Sequence, residues 1–230
     1  GHLLTLVCAP AGYGKTTMVS EWIHHIENVD YNSDSKSFPK KFIWLTLEHD
    51  DDDLVRFMTY FIVALQKCFP QVGEGVLESF QAPRPPHPHT LATWLINDLG
   101  ELSEPFIFVI DDYHLISDQT ICEFLTFFID HQPPQISIVI GSRADPNLPL
   151  ALMRVRGKLV ELRQEDLSFT LEETILFLDN MLDVNLPQDQ RVTLAVKTEG
   201  WIAGLHLAAL SIRSTTDISS FIGSFSGGYM

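Results

Sequence analysis

The segment that most constrains this fold is residues 9–17, Ala-Pro-Ala-Gly-Tyr-Gly-Lys-Thr-Thr. The apolar run 3–8 before it predicts a buried parallel strand. After it, apolar residues repeat at the spacing of a helix face. A strand, a glycine-containing loop, Lys-Thr and a helix together form the geometry that cradles nucleotide phosphates. The segment therefore predicts a nucleotide-binding α/β fold, although Ala9 stands where the usual pattern has its first glycine.

Each part of this loop has a physical reason for its residue type. Glycines allow the turn that makes backbone N–H groups converge on phosphate oxygens, and the helix start adds further unpaired N–H groups. Lys15 can reach the β- and γ-phosphates, and the Thr16 hydroxyl can hold Mg²⁺. The nucleotide-binding residues predicted from the loop are Ala11, Gly12, Tyr13, Gly14, Lys15, Thr16 and Thr17.

The rest of the chain predicts an α/β domain followed by helices. Further strand patterns at 42–47, 106–110, 136–140 and 159–162 alternate with helical patterns at 14–26, 53–68, 89–102 and 118–130. This alternation predicts a five-stranded parallel sheet flanked by helices. After Arg163 strand signals stop, and Thr170 with Glu173 forms a capping box that opens a helix.

We therefore expect a nucleotide-binding domain over 1–164, a small all-helical domain over 165–213, and a linker or the start of a truncated domain over 214–230. The sequence does not begin with Met and opens almost directly on a core strand. We expect it to be a piece of a larger protein.

Composition narrows the partners of this chain. Its net charge is −15, from 15 basic and 30 acidic residues, so this segment is not expected to hold DNA by itself. No apolar run is long enough to span a bilayer, which predicts no membrane partner. Three scattered cysteines at no metal-ligand spacing predict reduced thiols and a cytoplasmic location.

A second set of candidate residues lies where two apolar strands end. The run 106–110 ends in Asp111 and Asp112, and ligands in open α/β sheets bind at the carboxyl ends of strands. This is the Walker B pattern: Asp111 is predicted to hold Mg²⁺ with Thr16, and Asp112 to orient or deprotonate the attacking water. Arg143 follows the strand 136–140. It either stabilises the γ-phosphate, as a catalytic residue beside Asp112 and Lys15, or pairs with a surface carboxylate.

The acidic run 48–53 suggests a cation site, but its position favours another interpretation. It precedes an apolar helix, so one of its aspartates is expected to cap that helix and the others to favour the helix dipole.

Several motifs in this order resemble one family. They are the loop 9–17, Trp-Leu-Thr-Leu at 44–47 followed by acids, Arg-Phe at 56–57, Val-Ile-Asp-Asp-Tyr-His at 109–114, Ser-Arg at 142–143, Thr-Glu-Gly-Trp-Ile-Ala-Gly-Leu at 198–205 and Leu-Ala-Ala-Leu at 207–210. Together they are similar to the large ATP-binding transcriptional regulators of the LuxR type, which belong to the STAND class of P-loop NTPases. The resemblance covers nearly the whole chain.

The resemblance implies a switch that binds ATP or ADP, self-associates in its ATP form and is reset by slow hydrolysis. It implies that the inducer and DNA bind through other domains, among them a winged-helix domain after the helical one. It places the strand 136–140 between the two Walker strands. It also sets Gly200, Trp201 and Ile202 where related modules contact adenine, although their proline is absent. Trp201 and Ile202 are thus candidate adenine contacts, and core packing is an equal alternative for Trp201.

Two other classes of function stay open at this point. One is a P-loop kinase or an AAA+-type ATPase with fast turnover, for which Arg154, Arg156 and Arg163 offer lid-like cations. The other is a scaffold that retains nucleotide without hydrolysing it.

Overall fold

The structure is a computed structural model that describes residues 4–28, 41–182 and 186–226. Some of the predicted segments lie partly outside these ranges. They are residue 3 of the strand predicted at 3–8, residues 29–40 of the predicted nucleotide domain, residues 183–185 of the predicted helical domain and residues 227–230 of the predicted tail.

The strands are β1 (Leu4–Cys8), β2 (Lys41–Thr46), β3 (Phe106–Asp111), β4 (Ile136–Ser142) and β5 (Leu159–Leu162). They pair in parallel in the order β2-β3-β4-β1-β5, so the predicted five-stranded parallel sheet is confirmed. The strand β4 lies between β1 and β3, as the resemblance implies. Every residue of β3 is buried, which explains its continuous apolar sequence.

The helices near the sheet are α1 (Lys15–Asn28), α2 (Leu54–Gln66), α3 (Glu74–Ser79), α4 (Pro88–Gly100), α5 (Gln119–His131) and α6 (Leu150–Val155). Those that follow β5 are α7 (Gln164–Leu167), α8 (Leu171–Met181), α9 (Gln188–Thr198), α10 (Ile202–Ser214) and α11 (Ile218–Ser224). The sequence patterns missed α3, α6, α7 and α11. Each spans seven residues or fewer, too few to display a helical period.

The chain divides into two compact units, and the division separates the phosphate loop from the strand that precedes it. The first unit, which we call the sheet unit, contains residues 1–8 and 16–162. The second, which we call the helical unit, contains residues 9–15 together with residues from 163 onward. The domain boundaries predicted at 164 and 213 stay a prediction.

The core of the sheet unit is built around Phe61 of α2. The Phe61 ring lies 4.5 Å from the ring of Phe108 on β3 and 5.6 Å from those of Phe124 and Phe128 on α5, all edge-on. All four side chains are almost fully buried. Edge-to-face pairs add to the burial of apolar area, so these rings fix α2 and α5 on one face of the sheet.

The helical unit has a smaller core. The main cluster of buried apolar residues in this core is Leu178, Leu182, Leu186, Leu194, Ala208, Ala209, Ile212 and Ile222. The helix α8 begins with the predicted capping box. Thr170 Oγ1 accepts a hydrogen bond from Glu173 N at 3.2 Å, and Glu173 Oε2 accepts one from Thr170 N at 2.8 Å.

The segment predicted as a linker or the start of another domain contains the helix α11 in its described part. Its Ile222 is 3% exposed and belongs to the core of the helical unit. The high Ser and Gly content of this segment concealed an apolar helix face formed by Ile218, Phe221 and Ile222, with Phe225 directly after the helix.

Candidate functional site

Both glycines of the phosphate loop have a left-handed backbone. Gly12 has a φ of +82° and Gly14 a φ of +75°, both in the left-handed region that glycine adopts without strain. Among the described non-glycine residues, positive φ occurs at Asp112 and Glu199 only. Ala9 is not among the residues with positive φ, so the alanine at this position of the pattern does not have to adopt a left-handed backbone.

Lys15 folds back over the loop. Its Nζ donates hydrogen bonds to the carbonyl oxygens of Ala9 at 2.8 Å and Pro10 at 3.1 Å, and the residue is 8% exposed. A buried ammonium is costly unless it is hydrogen-bonded, and these carbonyls are among the groups that stabilise it. The structure therefore keeps a positive charge at the loop.

The start of α10 contacts the same loop within the helical unit. Trp201 Nε1 donates to Ala11 O at 2.9 Å, and Ala203 N donates to Gly12 O at 3.0 Å. The Ile202 side chain reaches Gly14, because a Cβ added there would lie 3.1 Å from Ile202 Cδ1. Sequence reasoning named Trp201 and Ile202 as adenine contacts and did not foresee their contact with the loop.

Tyr13 is held by a further contact that the sequence did not indicate. Its hydroxyl accepts a hydrogen bond from Gln164 Nε2 at 3.0 Å, and the residue is 4% exposed. Tyr13 therefore anchors the loop to the first turn of α7 as well.

The predicted metal ligands meet in the sheet unit. Thr16 Oγ1 donates a hydrogen bond of 2.7 Å to Asp111 Oδ2, although 95 residues separate the two in the chain. Asp111 is 4% exposed, and its Oδ1 accepts a hydrogen bond from Asp112 N at 2.9 Å. A Cβ at Gly141 would collide with Asp111 Oδ1, so the absence of a side chain on β4 makes room for this carboxylate.

Asp112 begins a 3₁₀ turn directly after β3. Its φ of 57° and ψ of 34° are left-handed, a conformation that Asp tolerates better than most residues. His114 Nδ1 lies 3.7 Å from Asp112 Oδ1. Sequence reasoning gave His114 no role, although its position two residues after Asp112 in a tight turn was the available signal.

The segment after this turn is fixed by Asp52. Its carboxylate accepts hydrogen bonds from Ser117 N at 2.8 Å, Asp118 N at 2.7 Å and Ser117 Oγ. Burial raises the pKa of Asp52, but these hydrogen bonds outweigh burial and hold the pKa below its ordinary value. The acidic run 48–53 therefore has a structural role, which is to hold neighbouring backbone segments by hydrogen bonds. Asp53 caps α2 by accepting from Arg56 N at 3.0 Å, as predicted.

The remaining predicted residues lie on the surface of the sheet unit. Thr17 is exposed in the first turn of α1, and Arg143 is exposed directly after β4. Within the part of the chain that the structure describes, no acid lies within ion-pair distance of Arg143. Arg154, by contrast, pairs with Glu161 at 2.6 Å, and Arg156 lies 3.5 Å from Asp130.

No three His, Cys, Asp or Glu side chains in residues 4–28, 41–182 and 186–226 converge as metal ligands. No helix in those ranges combines the length and the apolar character needed to cross a bilayer.

Solved structures define the class of this fold. The Walker-type ATPase PABY2304 of Pyrococcus abyssi superposes with a TM-score of 0.58 at 12% identity, over 95% of this chain and 65% of that chain. Cdc6p from Pyrobaculum aerophilum gives 0.52 at 16% identity, over 93% and 57%. At such low sequence identity, these similarities show a shared fold only. With its parallel sheet and the glycine loop after β1, the chain has the P-loop NTPase fold.

Curated relatives show which kind of protein this sequence resembles. It is 35% identical over 216 residues to the HTH-type transcriptional regulator MalT of Yersinia pestis (strain Pestoides F) and of Yersinia enterocolitica. The match covers 92% of this chain and 22% of each relative, so the chain spans about a fifth of their length. The predicted resemblance to a transcriptional regulator is therefore confirmed. No protein-family model matches the sequence.

Proposed function

We propose that this chain is the nucleotide-binding switch module of a MalT-like transcriptional regulator. It binds ATP or ADP with Mg²⁺ and hydrolyses ATP slowly. The observation that carries the proposal is the 2.7 Å hydrogen bond between Thr16 and Asp111. It joins the residue after the loop lysine to the carboxylate that ends β3, which are the two protein groups that P-loop NTPases use for the metal.

The phosphates are bound by Lys15 and by the backbone of residues 11–17. Lys15 Nζ has two loop carbonyls as partners in the structure, and we expect it to exchange them for phosphate oxygens of higher charge. Gly12 and Gly14 supply the turns, and the first turn of α1, with Thr16 and Thr17, supplies N–H groups at a positive dipole end.

The oxygen atoms of Thr16 and Asp111 fit Mg²⁺. This ion prefers oxygen ligands and is usually held by one or two protein groups together with phosphates and water, so a hydroxyl and a carboxylate already in contact suffice. When bound, Mg²⁺ supplies positive charge that neutralises the phosphates.

Asp112 is proposed to position the attacking water and Arg143 to stabilise the γ-phosphate. The Asp112 side chain is 34% exposed, so water can reach it, and Arg143 is exposed. Trp201 and Ile202 stay proposed adenine contacts through the indole face and the aliphatic side chain. The Trp201 N–H is already donated to Ala11 O.

The regulatory part of the proposal rests on the similarity to MalT. We infer that DNA and an inducer bind through parts of the protein beyond residues 1–230, that the protein is cytoplasmic, and that ATP drives self-association as in STAND switches. A fast kinase fits less well, because Arg154 and Arg156 pair with acids within the sheet unit. A scaffold that never hydrolyses differs from the switch only in turnover.

The test compares Asp112→Asn with the unmodified chain. Asn tolerates the left-handed backbone at this position, so the variant removes the charge and keeps the fold. We expect ADP affinity within about twofold of the unmodified chain and phosphate release lowered by about 100-fold, since a positioned base contributes on this scale.

Phosphate release is measured with ATP and Mg²⁺, and ADP binding by calorimetry. Unchanged release in the variant would remove Asp112 from its role. No release from either protein, with ADP bound by both, would favour the scaffold. A strong acceleration by small hydroxyl compounds would favour a kinase.

A further inference from the structure

Two consecutive carbonyl groups of the phosphate loop are engaged by the start of α10. Ala11 O accepts from the Trp201 indole N–H at 2.9 Å, and Gly12 O accepts from Ala203 N at 3.0 Å. Both hydrogen bonds lie within the helical unit, to which residues 9–15 belong.

The planarity of the peptide bond gives these contacts a consequence for phosphate binding. In a trans peptide the C=O and the following N–H point in opposite directions. Fixing Ala11 O therefore fixes the direction of Gly12 N–H, and fixing Gly12 O fixes that of Tyr13 N–H. Both N–H groups point away from Trp201 and Ala203. Converging N–H groups of this kind form the anion-binding concavity of a phosphate loop.

The fit between the indole and the loop is close. A Cβ at Gly12 would lie 2.5 Å from Trp201 Nε1 and 2.6 Å from Ala203 Cβ. On the other side of the ring, a Cβ at Gly204 would lie 2.5 Å from Trp201 Cε3. The indole thus occupies a slot between Gly12 and Gly204, both without side chains. Such a slot restricts the ring, whose N–H donates to Ala11 O.

We propose that Trp201 is a positioning residue for phosphate binding. Its indole N–H holds the Ala11–Gly12 peptide in the orientation that presents Gly12 N–H to the phosphates. Without this hydrogen bond the peptide can rotate and turn its carbonyl oxygen toward the phosphates. The partial negative charge of that oxygen repels the anion. Nucleotide affinity then depends on the first turn of α10. The inference rests on the proposed nucleotide function and differs from the adenine contact considered above.

The test is Trp201→Phe, which keeps an aromatic face for packing or stacking but removes the N–H donor together with one ring of the indole. The matched control is Trp44→Phe, which removes an indole hydrogen bond of 3.1 Å to Thr46 Oγ1 in the sheet unit. Calorimetry with ADP and Mg²⁺ is expected to show affinity lowered about five- to tenfold by Trp201→Phe, the effect of one hydrogen bond, and unchanged by Trp44→Phe.

Equal ADP affinity in Trp201→Phe and the unmodified chain overturns the positioning role and leaves the nucleotide function standing. No ADP binding by the unmodified chain overturns both. These two failures are therefore distinguishable.

A second measurement, of hydrogen exchange, does not depend on whether a variant at position 201 folds. Hydrogen exchange of the four indole N–H signals is followed by NMR in the ADP-saturated chain, with the signals assigned from Trp22→Phe, Trp44→Phe and Trp94→Phe. We expect the Trp201 indole N–H to exchange at least about tenfold more slowly than that of Trp94, whose side chain is exposed. Equal exchange rates contradict the proposal, because the indole would then not be bonded to Ala11 when phosphates are present.

Discussion

The sheet unit and the helical unit reach their stability by different means. The sheet unit surrounds five strands with helices whose buried rings meet edge to face at Phe61. The helical unit packs its helices around a smaller cluster of buried aliphatic side chains, and its rings at Phe177, Phe221 and Phe225 are only partly buried. A smaller core supplies less of the free energy that opposes local opening.

This difference bears on the two parts of the proposed nucleotide function. The Thr16–Asp111 pair belongs to the unit with the large core, whereas the phosphate loop 9–15 belongs to the unit with the small one. We therefore expect the metal ligands to keep their geometry without nucleotide. The loop geometry, in contrast, follows the state of α10, which suits a module that has to change when its nucleotide changes.

The largest expected effect comes from Phe61→Ala. Removing the ring at the centre of the aromatic cluster should lower the free energy of unfolding of the sheet unit by about 4 kcal/mol, because it leaves a cavity among rigid neighbours. Leu194→Ala, which truncates a fully buried but smaller side chain in the helical unit, should cost about 3 kcal/mol. Urea unfolding followed by circular dichroism measures both. A smaller cost for Phe61→Ala than for Leu194→Ala would contradict the larger contribution assigned to the core of the sheet unit.

A smaller effect is expected from Asp52→Asn. The charged carboxylate binds the segment after Asp112 by three hydrogen bonds, so the variant should lose about 1 kcal/mol at neutral pH. Because folding lowers the pKa of Asp52 from 3.8, its contribution is complete above that value and is lost as pH falls through the lowered pKa.

The pH dependence is checked by urea unfolding of the unmodified chain and the variant at pH 7, 4 and 3. The difference between them should shrink toward pH 3. A difference that stays constant with pH would show that the charge of Asp52 does not contribute.

Much of the fold followed from local pattern. The strands β3 and β4 begin where the sequence predicts, and each ends one or two residues later, because buried parallel strands are continuous apolar runs. The Thr16–Asp111 pair was also predictable, since loop and strand end each carry a recognisable motif. The short helices were not, because a helix of one or two turns shows no clear period.

The contacts around the loop could not be predicted from sequence. Trp201 and Ala11 are 190 residues apart, and no periodicity links an indole N–H to one particular carbonyl. The same holds for Gln164 and Tyr13. The motif containing Trp201 indicated that the residue matters, but only the structure shows that its N–H donates to a carbonyl of the loop.

Titration of ADP with Mg²⁺ into the Lys15→Ala variant is the most direct test of the proposal that the loop binds nucleotide phosphates. The control is Lys67→Ala, which removes an exposed lysine at the end of α2. We expect Lys15→Ala to stay folded and to lose ADP affinity by about 100-fold, because a charge-assisted contact to phosphate is gone, while Lys67→Ala binds like the unmodified chain. A folded Lys15→Ala variant that binds ADP as tightly as the unmodified chain would contradict the account.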